Sequence, residues 1–466
     1  MNARLVIYEW ILLWRDRRAA TALLCLAALL LIAFAANAAT LAREETARRE
    51  VAAAERARWL AQPAKDPHSA AHYSIFAFKP AAALAALDLG VEPFVGQAVW
   101  LEAHVQNDLL YRPQGEASLL ERAGQRHPAA LLIAFAPLVA FLLAFGAGAR
   151  EREHGTLRLA LGAARDPRLL ALTKAAAVWL ALATVLVLPL VAAAALHTTL
   201  QSAWSGDLAL RLAAWSGAAL AYLAVFAAAG VAVALRATDA RLALAVLFGA
   251  WALVVLALPR FANSAALALQ PLPPTQAVKQ QLLDEAPSYW TAETARANET
   301  AILAEAGVAR REELRGNYRG LELDRAERHS HAVYDRVLGG FYDQVTTQDR
   351  RYAALAWFSP AIALSALSPA LAGTDFAQHR QFIDAAERYR RELVNAMNAA
   401  VIDHHPGADG KAWAADAALW AAQPEFRAPS PPLAAAGTAF AALPALAAWL
   451  AAALAWLFLA ARRLQP

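Results

Sequence analysis

Arg150-Glu-Arg-Glu-His-Gly-Thr-Leu-Arg-Leu-Ala-Leu161 is a dense run of charge that continues through Arg165-Asp-Pro-Arg168 to Lys174. It is wedged between two long apolar segments, Ala129 to Ala149 and Leu172 to Leu196. About 20 apolar residues suffice to cross a bilayer, so the two segments read as a hairpin of membrane helices. A short basic connector between such helices stays in the cytoplasm. The connector is also patterned. Gly155-Thr156 can turn the chain, and the threonine oxygen can take one of the unpaired N–H groups of a following helix. Leu157, Leu159 and Leu161 then alternate with Arg158 and small residues, which suits a short, partly apolar helix along the membrane surface.

Glu151-Arg-Glu-x-Gly-Thr-Leu157, followed by a leucine-rich turn, resembles the first cytoplasmic loop of ABC-type permeases of the type-2 exporter class. In that family the loop forms a coupling helix that docks on a separate cytoplasmic ATPase subunit. The resemblance implies that Glu151, Arg152, Glu153, Gly155, Thr156, Leu157 and Arg158 couple this chain to the ATPase. It also implies a dimer with a second copy or a homologous permease, and ATP bound by the partner, with no cofactor in this chain. Family members often place a proline and apolar residues after the coupling helix, where this chain reads Gly162-Ala-Ala-Arg-Asp-Pro167. The run Leu87-Asp-Leu-Gly-Val-Glu-Pro-Phe94, continuing through Trp100-Leu-Glu-Ala-His104, is similar to the first exterior segment of a subgroup with large extracytoplasmic domains.

Composition points the same way without that resemblance. The 466 residues are 59% hydrophobic and only 18% charged, more apolar than a soluble core requires. The net charge of +4 does not indicate nucleic acid as a partner, because the arginines cluster beside apolar segments rather than on one basic face. The single cysteine, Cys25, lies in an apolar run and excludes an intramolecular disulfide. From Met1 to Arg18, apolar residues including Trp10 and Trp14 alternate with Arg4, Glu9 and Arg15, as in an interfacial amphipathic helix (residues 1–18). A cleaved signal peptide is the competing expectation, but the following run is longer than a usual signal core, which favours a retained span at 19–41.

Six spans are therefore expected in an all-α polytopic membrane protein, at 19–41, 129–149, 172–196, 210–235, 242–259 and 436–460. The cytoplasmic stretches are then 1–18, the coupling loop 150–171, the turn with Arg236, Asp239 and Arg241, and the tail 461–466, all of them basic. Both termini are then expected in the cytoplasm, and the resemblance implies a bacterial inner membrane. Ala353 to Gly373 is apolar too, but Ser359-Pro360 and Ser368-Pro369 interrupt it, so an interfacial or re-entrant element on the outer leaflet is expected there. The spans carry no Asp, Glu, Lys or Arg near their middles, where an ion-coupled transporter keeps an ionisable relay. Pro137, Pro189 and Pro444 are candidates for kinks, and Gly146, Gly148, Gly217 and Gly230 for close helix approach.

The exterior segments, 42–128 and 260–435, are expected to be mostly helical with some β. The first span reads as continuing through the Arg/Glu/Ala-rich stretch to Trp59. Tyr73 to Pro80, Leu84 to Gly90 and Val91 to Gln97 read as short strands or loops. Gln276 to Gly307 is one helical candidate, and Tyr334, Val337, Leu338, Phe341 and Val345 mark another. A third follows the three-four spacing of Phe382, Ala386, Tyr389, Leu393, Ala396 and Ala400, with Thr374 or Asp375 placed to cap it. Pro424 to Pro432 is a stiff re-entry linker. The pairs His404-His405 and His329/His331 lack the i, i+4 spacing with a nearby acid that a helix-borne zinc site uses, so no metal-ligating or catalytic residue is expected. Gly407 with Gly410-Lys411 has the wrong spacing for a phosphate loop. The sequence thus reads as the membrane subunit of an ATP-driven exporter, with the lipid bilayer, an ATPase and a periplasmic protein as partners. A membrane-anchored metal-handling protein or hydrolase and a non-transporting assembly scaffold are the alternatives.

Overall fold

A computed structural model describes residues 3–110, 127–164, 166–201, 204–407, 412–437 and 439–462. Residues 111–126 of the segment expected to be exterior, Gly410-Lys411 and the end of the basic tail lie outside the described residues. Helix α1 (Ala3–Arg15) ends where Asp16 caps α2 (Arg17–Leu60), its carboxylate accepting from Arg18 N at 2.9 Å. There follow α3 (Pro67–Tyr73), strands β1 (Ile75–Phe78), β2 (Ala98–Leu101) and β3 (Gln106–Leu110), then α4 (Pro128–Ala144), α5 (Ala149–Glu153), α6 (Leu157–Ala164), α7 (Pro167–Gln201) and α8 (Gly206–Arg236). Helix α9 (Ala240–Leu269) contains a π-helical stretch, Ala252–Ala257. The remainder comprises α10 (Thr275–Glu285), α11 (Ala292–Ala306), α12 (Tyr318–Ala354), α13 (Pro360–Ala372), α14 (Phe376–Asp403), α15 (Ala417–Ala422) and α16 (Leu443–Ala461).

Among the described residues, five stretches are long and apolar enough to cross a membrane: α2, α7, α8, α9 and Phe440–Ala461, which contains α16. The protein is thus a mostly helical, membrane-associated one. Helix α4 has 17 residues, short of the ~20 that span a bilayer. The uninterrupted run expected to Ala149 stops at Ala144, because the chain turns through Gly148, which adopts φ +81°. Helix α8 is the centre of the bundle, with 72% of its apolar window buried against 17% for α9, and it packs on α4, α7, α13 and α16. Small residues let neighbours come close. A Cβ on Gly230 would sit 2.9 Å from Ala144 Cβ, whereas Gly217 faces open space. Pro137 and Pro189 lie inside α4 and α7, but Pro444 occupies the first turn of α16, where no helical hydrogen bond is lost.

The apolar stretch 353–373 does not lie along an outer surface. Its 13-residue helix α13 reaches only ~20 Å at 1.5 Å per residue, too short to span. Ile362, Leu364, Leu367 and Leu371 are buried in the core shared with α8 and α16. Ser359 caps α13 through Ala361 N (3.0 Å) and donates to Val254 O (2.7 Å), a carbonyl of the π-helical stretch. The 84–90 stretch, which contains no strand, dips into the same core. Leu84 N donates to Ala372 O and Ala129 N to Leu87 O, both at 2.9 Å. Asp88 accepts from Ser368 Oγ (2.5 Å), which in turn accepts from Trp215 Nε1 (2.9 Å).

At the end of α8 remote from the charged turn sits a second core. Helix α2 runs unbroken for 44 residues, ~66 Å, so that Trp59 buries against Trp420 and donates to its carbonyl at 3.0 Å. Ile75, Val99 and Leu101 of the antiparallel β1–β2–β3 sheet pack there with Phe382, Leu393 and Met397 of α14. Asp375 caps α14, accepting from Gln378 N at 3.1 Å. The helix expected from Gln276 to Gly307 is two. Pro287 lacks the N–H to continue α10, a 3-10 turn (Ala286–Trp290) follows, and α11 ends at Gly307 with φ +69°.

Candidate functional site

The charged turn folds as α5, a tight reversal and α6, and three consecutive side chains of α5 fasten it to four helices. Glu151 accepts from Lys174 Nζ of α7 at 2.5 Å, and Lys174 also reaches Glu9 of α1 at 3.1 Å. Arg152 donates to Ala237 O (2.7 Å) and Leu235 O (3.1 Å), carbonyls that the C-terminus of α8 leaves without helical partners. A cation at that end also meets the negative pole of the helix dipole. Glu153 accepts from Ala240 N, at the start of α9, at 2.9 Å. Here the carboxylate meets the positive pole.

Beyond these anchors the chain turns outward. Gly155 adopts φ +72°, a left-handed conformation that disfavours any side chain, and the space around its Cα is open. Thr156 N closes the turn on Glu151 O at 2.8 Å, and the Thr156 hydroxyl donates to the same carbonyl at 3.4 Å. Leu157 is buried in the main core, while Arg158 and Leu159 point into solvent, Leu159 with 75% exposure. All seven residues singled out in the sequence therefore sit on one turn. Glu151, Arg152, Glu153 and Leu157 hold it, and Gly155, Thr156 and Arg158 are presented. Beneath it a cavity of about 440 Å³ opens between α1, α2, α4 and α7, lined by Glu9, Ala19, Leu142, Glu151 and Lys174.

A second constellation lies in the other core, and the sequence reading missed it. His68 and His72, one turn apart on α3, meet His104 from the β2–β3 connection. His68 Nε2 lies 3.1 Å from His104 Nε2 and 3.2 Å from His72 Nε2. Asn398 Oδ1 of α14 stands 2.9 Å from His68 Nδ1, and Glu327 Oε1 of α12 stands 2.7 Å from His104 Nδ1. His104 holds φ +66°, and its backbone N–H also donates to Glu327 Oε1 at 2.8 Å. Burial lowers the His68 imidazole to about 4, only partly offset by the Asn398 hydrogen bond. Burial alone would raise the Glu327 carboxyl. The close approach of the His104 and His331 imidazoles, with the Arg390 charge nearby, outweighs it and holds Glu327 well below the usual carboxylate range.

The histidines considered from sequence divide. His331 Nε2 lies 3.3 Å from Glu327 Oε2 and belongs to this network. His404 stacks on Trp413 with ring centroids 3.6 Å apart. The signal available in the sequence was the i, i+4 pair His68-x-x-x-His72. Its third member lies 32 residues further on, across a sheet whose pairing no spacing reveals.

Residues 270–428, about a third of the chain, match a protein family described as a domain of unknown function (DUF3526). The matched stretch runs from the connection after α9 to the linker after α15. It contributes Glu327, His331, Arg390 and Asn398, while the three converging histidines precede it. No curated protein matches the chain.

Proposed function

We propose that this chain is the membrane-spanning subunit of an ATP-driven exporter of the ABC type, working as a dimer with a separate cytoplasmic ATPase. The observation that carries the reading is the construction of the Glu151–Arg158 turn. Its tip is exposed, and its base is tied through Glu151, Arg152 and Glu153 to α1, α7, α8 and α9. A push on such a tip reaches four helices at once rather than bending a loose loop. The basic residues around it, Arg236 and Arg241 among them, favour a cytoplasmic face, which sends the Trp59–Trp420 core to the exterior. The cavity beneath the turn leaves α1 room to shift as the turn is pressed.

The test is purification of the full chain in mild detergent from its native host. A stoichiometric ATPase subunit is expected with the wild type. Gly155→Val puts a β-branched residue in a left-handed conformation, at a cost of ~1–3 kcal/mol borne by the turn alone. That variant should reach the membrane yet lose most of the ATPase. A wild-type chain that emerges without any ATPase subunit would sink the reading. The three imidazoles favour a second reading, a membrane-anchored metal-handling protein, which requires no ATPase.

A further inference from the structure

We propose that His68, His72 and His104 form a three-imidazole site for a borderline divalent transition metal, with its fourth coordination position open toward the exposed His72 side. The proposal deepens the metal-handling reading and holds whether or not the Glu151–Arg158 turn engages an ATPase.

Asn398 Oδ1 is an acceptor, so the facing Nδ1 of His68 carries the proton and its Nε2 presents a lone pair. A carboxylate oxygen of Glu327 stands 2.7 Å from Nδ1 of His104, which places a proton on that nitrogen and leaves Nε2 to present a lone pair. Two lone pairs then face each other across 3.1 Å, with a third ring nitrogen 3.2 Å from the first. Lone pairs repel at that distance unless a cation lies between them. Three nitrogens on a tetrahedral ion at Zn–N ~2.0–2.1 Å would stand ~3.3 Å apart, close to the two separations made by His68, and all three atoms lie within 4.8 Å of one another.

The surroundings match what such a site needs. A carboxylate and an amide oxygen on the remote ring nitrogens fix tautomer and orientation, as the partners of metal-bound histidine do. Glu327 is itself held by Arg390 Nη1 (3.5 Å) and His331 Nε2 (3.3 Å). All-imidazole donors suit Zn²⁺, Cu²⁺, Ni²⁺ or Co²⁺ rather than Ca²⁺ or Mg²⁺. The chain's one cysteine, Cys25, lies in the apolar part of α2 and supplies no soft thiolate. His68 is buried, His104 half-buried and His72 exposed, so an ion can enter and a fourth ligand can reach it.

The experiment uses the full chain purified in detergent through a tag without histidine, stripped with chelator and reloaded with Zn²⁺ or Co²⁺. About one Zn²⁺ per chain should survive desalting, and Co²⁺ should give the intense visible absorption of a tetrahedral complex. Zn²⁺ should also raise the unfolding temperature, because it binds the folded state alone. His68→Gln/His104→Gln should lose the stoichiometric metal, the Co²⁺ spectrum and the thermal shift. His72→Gln, a change at an exposed position, guards against a result caused by misfolding. It should keep the wild-type metal-free unfolding temperature and bind Zn²⁺ at least tenfold more weakly. A folded wild-type chain that takes up neither ion, or variants that bind as well as the wild type, would mean a hydrogen-bonded imidazole cluster instead. ATPase co-purification from the same preparations should be unchanged by the histidine variants and lost in Gly155→Val, which separates this inference from the transport reading.

Discussion

Individual residues show where buried charge is placed and what holds it. Arg390 is 1% exposed and donates to both Glu387 oxygens at 2.8 Å and to Glu102 O at 3.0 Å, with Glu327 beside it. Removing one partner of a buried ion pair leaves a charge without compensation and typically costs ~3–5 kcal/mol. Arg390→Met should therefore lower the denaturant midpoint read from the buried Trp59 and Trp420 fluorescence. Adding Glu387→Leu should restore part of the loss. A midpoint unmoved by Arg390→Met would mean that water reaches the cluster. Little of this was legible in the sequence. An arginine three residues after a glutamate on a helix reads as an exposed pair, and nothing local says that α3 and the sheet cover it. His104 shows the same limit, since its role depends on a left-handed backbone and a carboxylate 223 residues away.

Single elements were more legible, because caps and periodicity are local. Asp375 does cap α14, and Phe382, Ala386, Tyr389 and Leu393 are its buried face. Periodicity carried the Gln276–Gly307 reading too far across Pro287, and hydropathy could not tell a buried 13-residue helix from an interfacial one at α13. Helix α6 was read as short and partly apolar, and its packing gives that pattern a direction. Leu157 faces inward and Leu159 outward. An apolar side chain left exposed beside Arg158 is the kind of anchor a partner covers. Leu159→Asp should leave stability within about 0.5 kcal/mol, as surface changes do, yet reduce the co-purified ATPase severalfold. Equal recovery of the ATPase from wild type and variant would remove α6 from the proposed interface.

Across the whole molecule, the question is how the charged turn communicates with the remote core. Helix α8 spans ~46 Å between them. Its last turn is gripped by Arg152, and its second carries Arg211. That arginine is 1% exposed and donates to Asp207 (2.6 Å), Gln378 Oε1 (2.8 Å), Pro431 O (2.7 Å), Ala370 O (3.3 Å) and Leu371 O (3.2 Å). One guanidinium thus joins α8 to the end of α13, the start of α14 and the proline-rich 424–432 linker. Its planar fork can satisfy several acceptors together, which a lysine cannot. Arg211→Met would take the guanidinium donors from Gln378 Oε1, Leu371 O and Pro431 O, at ~1–3 kcal/mol for each left unsatisfied, whereas Ala370 O keeps Gln378 Nε2 and Asp207 keeps Leu433 N. The loss should be local to the joint. Hydrogen exchange should rise in 370–378 and 431–433 while the middles of α7 and α8 keep their protection. Uniform deprotection would mean that Arg211 holds the whole bundle, and no change would mean that the two cores meet through apolar packing alone. Only the local outcome leaves α8 as a rigid lever whose two ends are each fixed by one arginine, and only then does a push at residues 155–159 have a direct path to the remote core.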